Sequence, residues 1–244
     1  MNIFLKANWE NIIMVNYEIA PEILMPYLPK GVELDLFEGK AYISLVGFMF
    51  KKTKLFNVSI PKLGTFEEIN LRFYVTRTES DLVKRGVVFI NETIPYKIVA
   101  WIANKLYKEH YTVVPTKHSI VKDSINQKIK FEWLVQKKWN SIYVENRMSS
   151  HQMKKDSLEK FIYEHYYGYT KINEQTTEEY RLHHPSWKIH EVVDYEIACD
   201  FKAMYSNDFS VLNETKPTAV FIAEGSSVAI EWKRKKIYTN NERS

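Results

Sequence analysis

The chain has 244 residues, of which 45% are hydrophobic and 14% aromatic, and its 34 basic and 30 acidic residues leave a net charge of +4. This length suits one large domain or two small ones, and a high aromatic content is typical of strands. The charge is too evenly mixed for a nucleic-acid-binding protein, so we expect no nucleic-acid partner. The one basic run, at residues 233–236, is expected to be solvated.

The single cysteine and the N-terminal sequence bear on the cellular compartment. Cys199 has no second cysteine to pair with, and we expect it to be a small core residue rather than a nucleophile. The first residues lack the apolar core of a secretory signal, and no apolar run approaches the ~20 residues of a membrane-spanning helix. The sequence therefore predicts a cytoplasmic protein with no membrane partner.

Three strands and a short helix are predicted before residue 51. The strands are residues 7–19, 31–36 and 41–50. Pro21 can open a helix, because proline is tolerated in the first turn, and Pro26 stops it. The second and third strands flank a turn at residues 37–40, which predicts a hairpin. Residues 51–63 are predicted to be a loop or a ragged extension of the third strand.

The segment from residue 66 to residue 76 alternates strictly between apolar and polar side chains. Successive side chains of a strand point to opposite faces. The apolar face holds Ile69, Leu71, Phe73 and Val75, and the polar face holds Glu68, Asn70, Arg72 and Tyr74. The pattern fits either a surface strand with its polar face in water or the wall of a barrel whose polar face lines a ligand cavity.

The remainder of the chain is predicted to be mostly antiparallel sheet. A helix begins at Pro95 and carries apolar side chains to residue 106, and Asp156 caps a second helix with Glu159 three residues later. The predicted strands are residues 85–92, 111–120, 128–135, 141–148, 178–182, 188–195 and 218–230, the last of them broken at residues 224–226. With no linker or repeat, we expect one domain over residues 1–235 and a flexible tail over residues 236–244.

Several kinds of chemistry lack support in the sequence. The seven glycines are too dispersed for a dinucleotide fingerprint or a phosphate-binding loop. His190 and Glu191 begin a zinc-protease pattern whose second histidine is missing, and the adjacent His183 and His184 point apart on a strand. Ser226 does not lie in a nucleophile elbow. We expect neither a metal nor a cofactor.

Polar residues among aromatic ones are the remaining candidates for a site. Arg72 would hold a small polar or anionic ligand by charge-assisted hydrogen bonds, beside Asn70. If the protein is an enzyme, its acid or base would be Glu68 or His165. Glu164 and His165 lie in a tyrosine-rich run that changes from helix to strand. At most one of these two neighbours can point inward, and we expect it to be His165, within reach of Glu68.

Several short motifs lie along nearly the whole chain. They are Tyr27-Leu28-Pro29-x-Gly31, Glu33-Leu34-Asp35, Ser44-Leu45-Val46-Gly47-Phe48, the strand from Phe66 to Val75, Gly86-Val87-Val88-Phe89-Ile90, the run from Phe161 to Tyr169, and Ala223-Glu224-Gly225-Ser226. Together these motifs resemble the bacterial YqjF-like family of unknown function. That family is similar in fold to the acetoacetate decarboxylase-like superfamily. The resemblance implies a mainly β (α+β) fold, with an antiparallel, cone-shaped β-barrel around a cavity and a few short flanking helices.

The resemblance also bears on the chemistry. In the decarboxylases a lysine forms a Schiff base opposite a glutamate on a central strand. A gapless placement puts Tyr111 at the position of that lysine and retains Glu68, so we expect Tyr111 to contact the ligand and no imine to form. Lys108 or Lys117 could supply the amine only if the placement is shifted by several residues.

Two classes of function are consistent with these features. The first is a barrel that binds a small molecule in an internal cavity, with or without catalysis. The second is a non-catalytic interaction protein whose barrel is filled and whose aromatic faces bury a partner, for which a second copy of the chain is a candidate. A closed, polar-lined cavity favours the first, and an exposed apolar patch over a filled barrel favours the second.

Overall fold

The computed structural model describes residues 3–59, 64–97 and 111–238. Within these ranges the fold is mainly β, with short helices at Pro21–Leu24, Leu158–Tyr163 and Phe201–Met204 and 3-10 turns at Met25–Tyr27 and Asn207–Asn213. The described strands are β1 Ile3–Ile19, β2 Glu33–Leu34, β3 Ala41–Leu55, β4 Val58–Ser59, β5 Phe66–Glu79, β6 Leu82–Ile94, β7 Tyr111–Val113, β8 Thr116–Lys122, β9 Asn126–Val135, β10 Lys138–Gln152, β11 Tyr167–Asn173, β12 Thr176–His183, β13 Lys188–Ala198, β14 Ala219–Glu231 and β15 Lys235–Tyr238. The mainly β prediction is confirmed.

Seven strands close into a ring. Their order is β12-β11-β6-β5-β3-β1-β14, and β14 returns to pair with β12. The closing contact is short, because only Leu182 with Ile230 and His183 with Ala229 are in register. All neighbours in the ring are antiparallel except β11 and β6. A closed ring leaves no open edge and can enclose a space.

A second layer covers one side of the ring. β14 also pairs with β13, and β10, β9 and β8 follow. Buried side chains of this layer, among them Phe131 and Ile142, belong to one cluster with Ile69, Leu71 and Phe73 of β5. A Cβ at Gly47 would lie 2.9 Å from the ring of Phe131, so glycine is what lets the two layers approach. The apolar face of β5 therefore packs beneath an outer layer, as predicted.

The predicted hairpin of residues 31–36 and 41–50 is wrong. Glu33 and Leu34 pair with Thr76 and Val75 of β5. The physical reason is that β3 lies between β1 and β5, so over this length it has no free edge for β2. Only the bridge between Phe37 and Lys40 remains of the predicted hairpin turn.

The predicted loop or ragged extension of residues 51–63 begins as an extension of a strand. β3 continues to Leu55, which is held by pairing with Leu5 of β1, and β4 folds back onto its end. Residues 60–63 lie outside the described range, as does the part of the predicted helix from residue 98 to residue 106. Pro115 divides the predicted strand of residues 111–120 into β7 and β8.

Two predicted ends and one predicted break also differ from the structure. Ser157, not Asp156, caps the helix Leu158–Tyr163, because its Oγ accepts from the Lys160 amide while Asp156 has a φ of 58°. β14 is continuous through Gly225, whose φ of 82° suits glycine. The expected tail of residues 236–244 begins inside a strand, because Lys235–Tyr238 pairs with β12.

The helices in the described part of the chain are all short. None of them is long and apolar enough to cross a membrane.

Candidate functional site

The strand ring encloses a cavity of about 110 Å³ as bounded by the described residues. Its walls are mostly aromatic and aliphatic, with a few polar side chains among them. The polar and charged lining residues are Thr53, Glu68, Asn70, Arg72, Glu92, Tyr111, Tyr163, His165, Tyr167, Tyr180, His184 and Arg234. An apolar enclosure with a few convergent polar groups is the usual form of a small-molecule site.

The polar face of β5 forms one wall of this cavity. Glu68, Asn70 and Arg72 are 3%, 2% and 8% exposed. The Asn70 amide donates a hydrogen bond of 3.0 Å to Oε1 of Glu68. β5 is therefore a cavity wall and not a surface strand with its polar side in water.

Arg72 has unusual surroundings for a buried cation. Its Nη2 lies 3.5 Å from the sulfur of Met14, and its guanidinium lies 5.7 Å from the centre of the Tyr74 ring. Among the described residues no carboxylate forms an ion pair with it, and its Nε has no hydrogen-bond partner. A buried charge is costly unless it is paired, so this guanidinium offers a strong interaction to an anion.

Glu92 is a cavity residue that strict alternation assigns to the wrong face. Val87 and Phe89 of β6 line the cavity, so alternation predicts residue 91 as the next inward position. The register with β5 shifts at Ile90, and after this bulge Glu92 lies opposite Asn70. Glu92 is 3% exposed and lines the cavity. A bulge re-aims side chains in this way and leaves no clear signal in the sequence.

Tyr111 also lines the cavity. β7 runs parallel to β6 and places Tyr111 beside Glu92. The Tyr111 hydroxyl donates a hydrogen bond of 2.7 Å to Oε1 of Glu92. Asn70, Glu92 and Tyr111 thus form one polar row across three neighbouring strands.

The two lysines considered for imine chemistry lie elsewhere or outside the described range. Lys117 is on β8 in the outer layer, with its Nζ 3.5 Å from Glu132 and 4.3 Å from the centre of the Trp139 ring. Lys108 falls within residues 98–110, which the structure does not describe. No lysine is among the described residues that line the cavity.

His165 lines the same cavity as Glu68 and is held by an acidic residue. Its Nε2 lies 3.1 Å from Oδ2 of Asp35, and Asp35 also accepts a 2.7 Å bond from Nε of Arg85. Burial lowers the pKa of His165 to about 4. The hydrogen bond to Asp35 acts in the opposite direction and raises this pKa, whereas the nearby charge of Arg85 lowers it further. The ring is therefore neutral at pH 7, with its proton on Nε2 and an unprotonated Nδ1.

Glu164 points away from the cavity. Its Oε1 accepts a 2.6 Å bond from Ser186, and its Oε2 accepts from the Tyr166 hydroxyl. It is absent from the described lining of the cavity. Of the two neighbours, His165 is the one on the cavity, and Glu164 is a structural residue of the outer surface.

Several buried polar atoms on cavity-lining residues have no hydrogen-bond partner in the described part of the chain, among them Nε1 of Trp9 and Oγ1 of Thr53. Three others belong to the site residues predicted from the sequence. They are Oδ1 of Asn70, Nε of Arg72 and Nδ1 of His165. Two are acceptors and one is a donor that carries part of a positive charge. Such atoms are rare in folded proteins, and a bound polar molecule would satisfy them.

The residues considered for metal or nucleophilic chemistry have ordinary roles. His183 contacts Glu231 at 2.7 Å, and Nδ1 of His190 contacts the Ser149 carbonyl at 3.1 Å. Burial raises the pKa of the Cys199 thiol, which makes it a poor nucleophile. No cluster of three or more potential metal ligands occurs among the described residues.

Sequence comparison matches residues 6–227 to the DUF2071 family, described as an uncharacterized conserved protein. The uncharacterized protein YqjF of Bacillus subtilis (strain 168) is 25% identical over 182 residues, which cover 74% of this chain and 73% of YqjF. These matches agree with the resemblance seen in the motifs.

Structural comparison identifies the fold. Acetoacetate decarboxylase from Legionella pneumophila superimposes with a TM-score of 0.64 over 97% of this chain and 88% of its own, at 10% identity. The enduracididine biosynthesis enzyme MppR, complexed with pyruvate, gives a TM-score of 0.62 over 97% and 91% of the two chains, also at 10% identity. The predicted acetoacetate decarboxylase-like fold is confirmed, and at such identity the likeness extends to the fold alone.

Proposed function

We propose that this chain, which belongs to the DUF2071 family of uncharacterized conserved proteins, binds a small organic acid in its cavity with Arg72 as the counter-ion. The observation that carries the proposal is the buried guanidinium of Arg72, which lines the cavity and has no carboxylate partner among the described residues. A carboxylate can accept two parallel hydrogen bonds from a guanidinium, and in an apolar site such a pair is strong.

Two unpaired acceptor atoms indicate which further groups the ligand should carry. Oδ1 of Asn70 and the unprotonated Nδ1 of His165 both accept hydrogen bonds. The ligand should therefore carry a donor, such as a hydroxyl or an amino group, beside its carboxylate. The cavity of about 110 Å³ suits a compact molecule of this kind. The structurally similar enzyme MppR is described in complex with pyruvate, another small acid.

Binding can be tested with a charged ligand and its neutral analogue. Lactate should raise the melting temperature of the protein and give heat in calorimetric titration, whereas lactamide, which lacks the charge, should do neither. Arg72→Met should abolish the lactate response. Arg147→Gln is the matched control, because Arg147 donates to Asn126 in the outer layer at 2.9 Å, far from the cavity lining. Equal binding of lactate by wild type and Arg72→Met would contradict the proposal.

We assign the acid–base role in this cavity to Glu68. Its carboxylate is buried and lies on the same strand face as Arg72. A carboxylate there can take a proton from the carbon next to the carbonyl of a bound keto acid, while the enolate charge that forms is stabilised by the guanidinium. Pyruvate in D2O should then lose its methyl proton signal faster with wild type than with Glu68→Gln. Equal rates in the two proteins would remove Glu68 from this role.

A further inference from the structure

A basic groove lies on the outer face of the strand ring. Its volume is about 870 Å³, and it is formed by β1, β3, β12, β14 and the segment after β12. Four of its residues are permanent cations, and no described lining residue is acidic. The cations are Lys6, Lys52, Lys54 and Arg181. Lys6 follows Leu5 and Lys54 precedes Leu55, and both leucines line the cavity. Because successive side chains of a strand point to opposite faces, the two lysines point away from the cavity.

The pairing of strands places two of these cations against each other. Lys6 is the direct cross-strand partner of Lys54. Like charges in this position destabilise a sheet. A few residues along the same two strands, Lys51 and Glu10 form an ion pair of 2.7 Å, so acids are not excluded from this ladder. None of the four groove cations has an ion pair with a described residue.

A β-bulge contributes to the same groove. The register of β1 with β3 shifts between Lys6 and Asn8, and Lys52 lies in the shifted region with a φ of 52°. A lysine is strained in this left-handed conformation. Both the strained lysine and the opposed lysine pair lower stability and concentrate positive charge at one place, which is typical of a site selected for binding.

We propose that this groove binds the phosphate groups of a small phosphorylated molecule. Four cations around one concavity suit a ligand with several negative charges, and the groove is too large for a single phosphate to contact all of them. A small ligand fits better than a nucleic acid, because lysines elsewhere are paired with acids, for example Lys128 with Glu145 at 3.7 Å and Lys171 with Glu174 at 2.7 Å. The proposed phosphate site is independent of the proposed binding of an organic acid in the cavity.

The decisive variant is Lys54→Glu, tested with pyrophosphate and with ATP by calorimetric titration at low salt. A glutamate opposite Lys6 replaces a repulsive pair with an attractive one, so the variant should melt at a higher temperature than wild type. The same change should weaken binding of both probes by about tenfold or more, because a cation of the site becomes an anion. If Lys54 had only a structural role, its replacement would change stability and binding in the same direction.

Lys122→Glu is the matched control. Lys122 is exposed on β8, lies outside the groove and faces Gln127, and its replacement changes the net charge equally. It should leave pyrophosphate binding within about twofold.

Three results would overturn the proposal. The first is a wild-type protein that gives no heat of binding with either probe at low salt. The second is a Lys122→Glu control that weakens binding as much as Lys54→Glu does, which would indicate diffuse attraction only. The third is tighter binding of a single-stranded oligonucleotide or of anionic vesicles than of pyrophosphate. This result would mean that the groove binds a macromolecule or a membrane surface and not a small ligand.

Discussion

The Nε2 atom of His165 lies 3.1 Å from Oδ2 of Asp35, a residue 130 positions earlier in the chain. The side chain of His165 is fully buried, and its ring lies between those of Tyr74 and Phe161, at centroid distances of 4.7 Å and 5.4 Å. Asp35 fixes which nitrogen carries the proton, and burial keeps the ring neutral. The cavity therefore has a hydrogen-bond acceptor of defined orientation.

The lowered pKa of His165 predicts acid sensitivity. Between pH 6.5 and about 4 the unfolded chain binds a proton at this histidine that the folded protein excludes, so stability falls by as much as ~3 kcal/mol as the pH is lowered through this range. Urea unfolding at half-unit steps of pH measures the slope. The His165→Gln protein should be less stable than wild type at pH 7, but its free energy of unfolding should change less steeply with pH.

One other histidine contributes in the same direction. Burial also lowers the pKa of His184, so His184→Gln is a needed comparison. Burial alone would raise the pKa of the Asp35 carboxyl, but its bonds to His165 and Arg85 lower this pKa. Protonation of Asp35 therefore reduces the stability of the fold only at a lower pH. An unchanged slope in His165→Gln would show that the histidine is already charged in the folded protein.

Arg72 should reduce the stability of the ligand-free protein. An unpaired buried cation is unfavourable, and methionine has a similar length without the charge. Arg72→Met is expected to raise the free energy of unfolding by ~1–2 kcal/mol in the absence of ligand. Arg77→Met is the contrasting change, because Arg77 is paired with Glu179 at 3.4 Å and its loss should destabilise the protein. A less stable Arg72→Met protein would indicate that the guanidinium is satisfied within the fold.

Imine chemistry is not expected in this cavity. The gapless placement predicts Tyr111, which lines the cavity, where a Schiff base would need an amine, and Lys117 lies in the outer layer. Borohydride treatment with acetoacetate should therefore leave the intact mass unchanged, whereas the Legionella acetoacetate decarboxylase serves as the positive control. If an adduct forms, peptide mapping will identify the lysine, and a modified Lys108 would show that the gapless placement is shifted.

The sequence predicted the cavity wall for a simple physical reason. β5 keeps a period of two without interruption, so Glu68, Asn70 and Arg72 had to share a face, and the resemblance to a barrel family indicated which face was inside. Irregular positions were not predictable in this way. Glu92 reaches the cavity only because of a bulge at Ile90, and bulges follow from the pairing of two strands rather than from either strand alone.

Long-range contacts account for the other differences. The sequence shows Asp35 only as part of a motif, because nothing near it in the chain reveals that His165 is its partner. The wrong hairpin had the same origin: adjacent strands usually pair, but both edges of β3 are occupied by β1 and β5. Local pattern identified the strands, and competition for edges determined their order.

The continuity of β14 depends on Gly225, and a pair of glycine variants tests this. Gly225 has a φ of 82°, and a Cβ there would lie 2.0 Å from the Trp9 carbonyl oxygen in β1. Gly39 has a similar φ of 78°, but a Cβ there meets no atom within 4 Å. Gly39→Ala should therefore cost only the ~1 kcal/mol of backbone strain, whereas Gly225→Ala should cost ~3 kcal/mol or more, because strands β1 and β14 must separate locally.

Urea unfolding of both alanine variants measures the difference directly. Since β14 carries the pairing that closes the ring onto β12, Gly225→Ala should also weaken ligand binding in the cavity, while Gly39→Ala should not. Equal losses of stability in the two variants would mean that β1 moves aside at little cost, and that the ring closes without help from this close approach of two backbones.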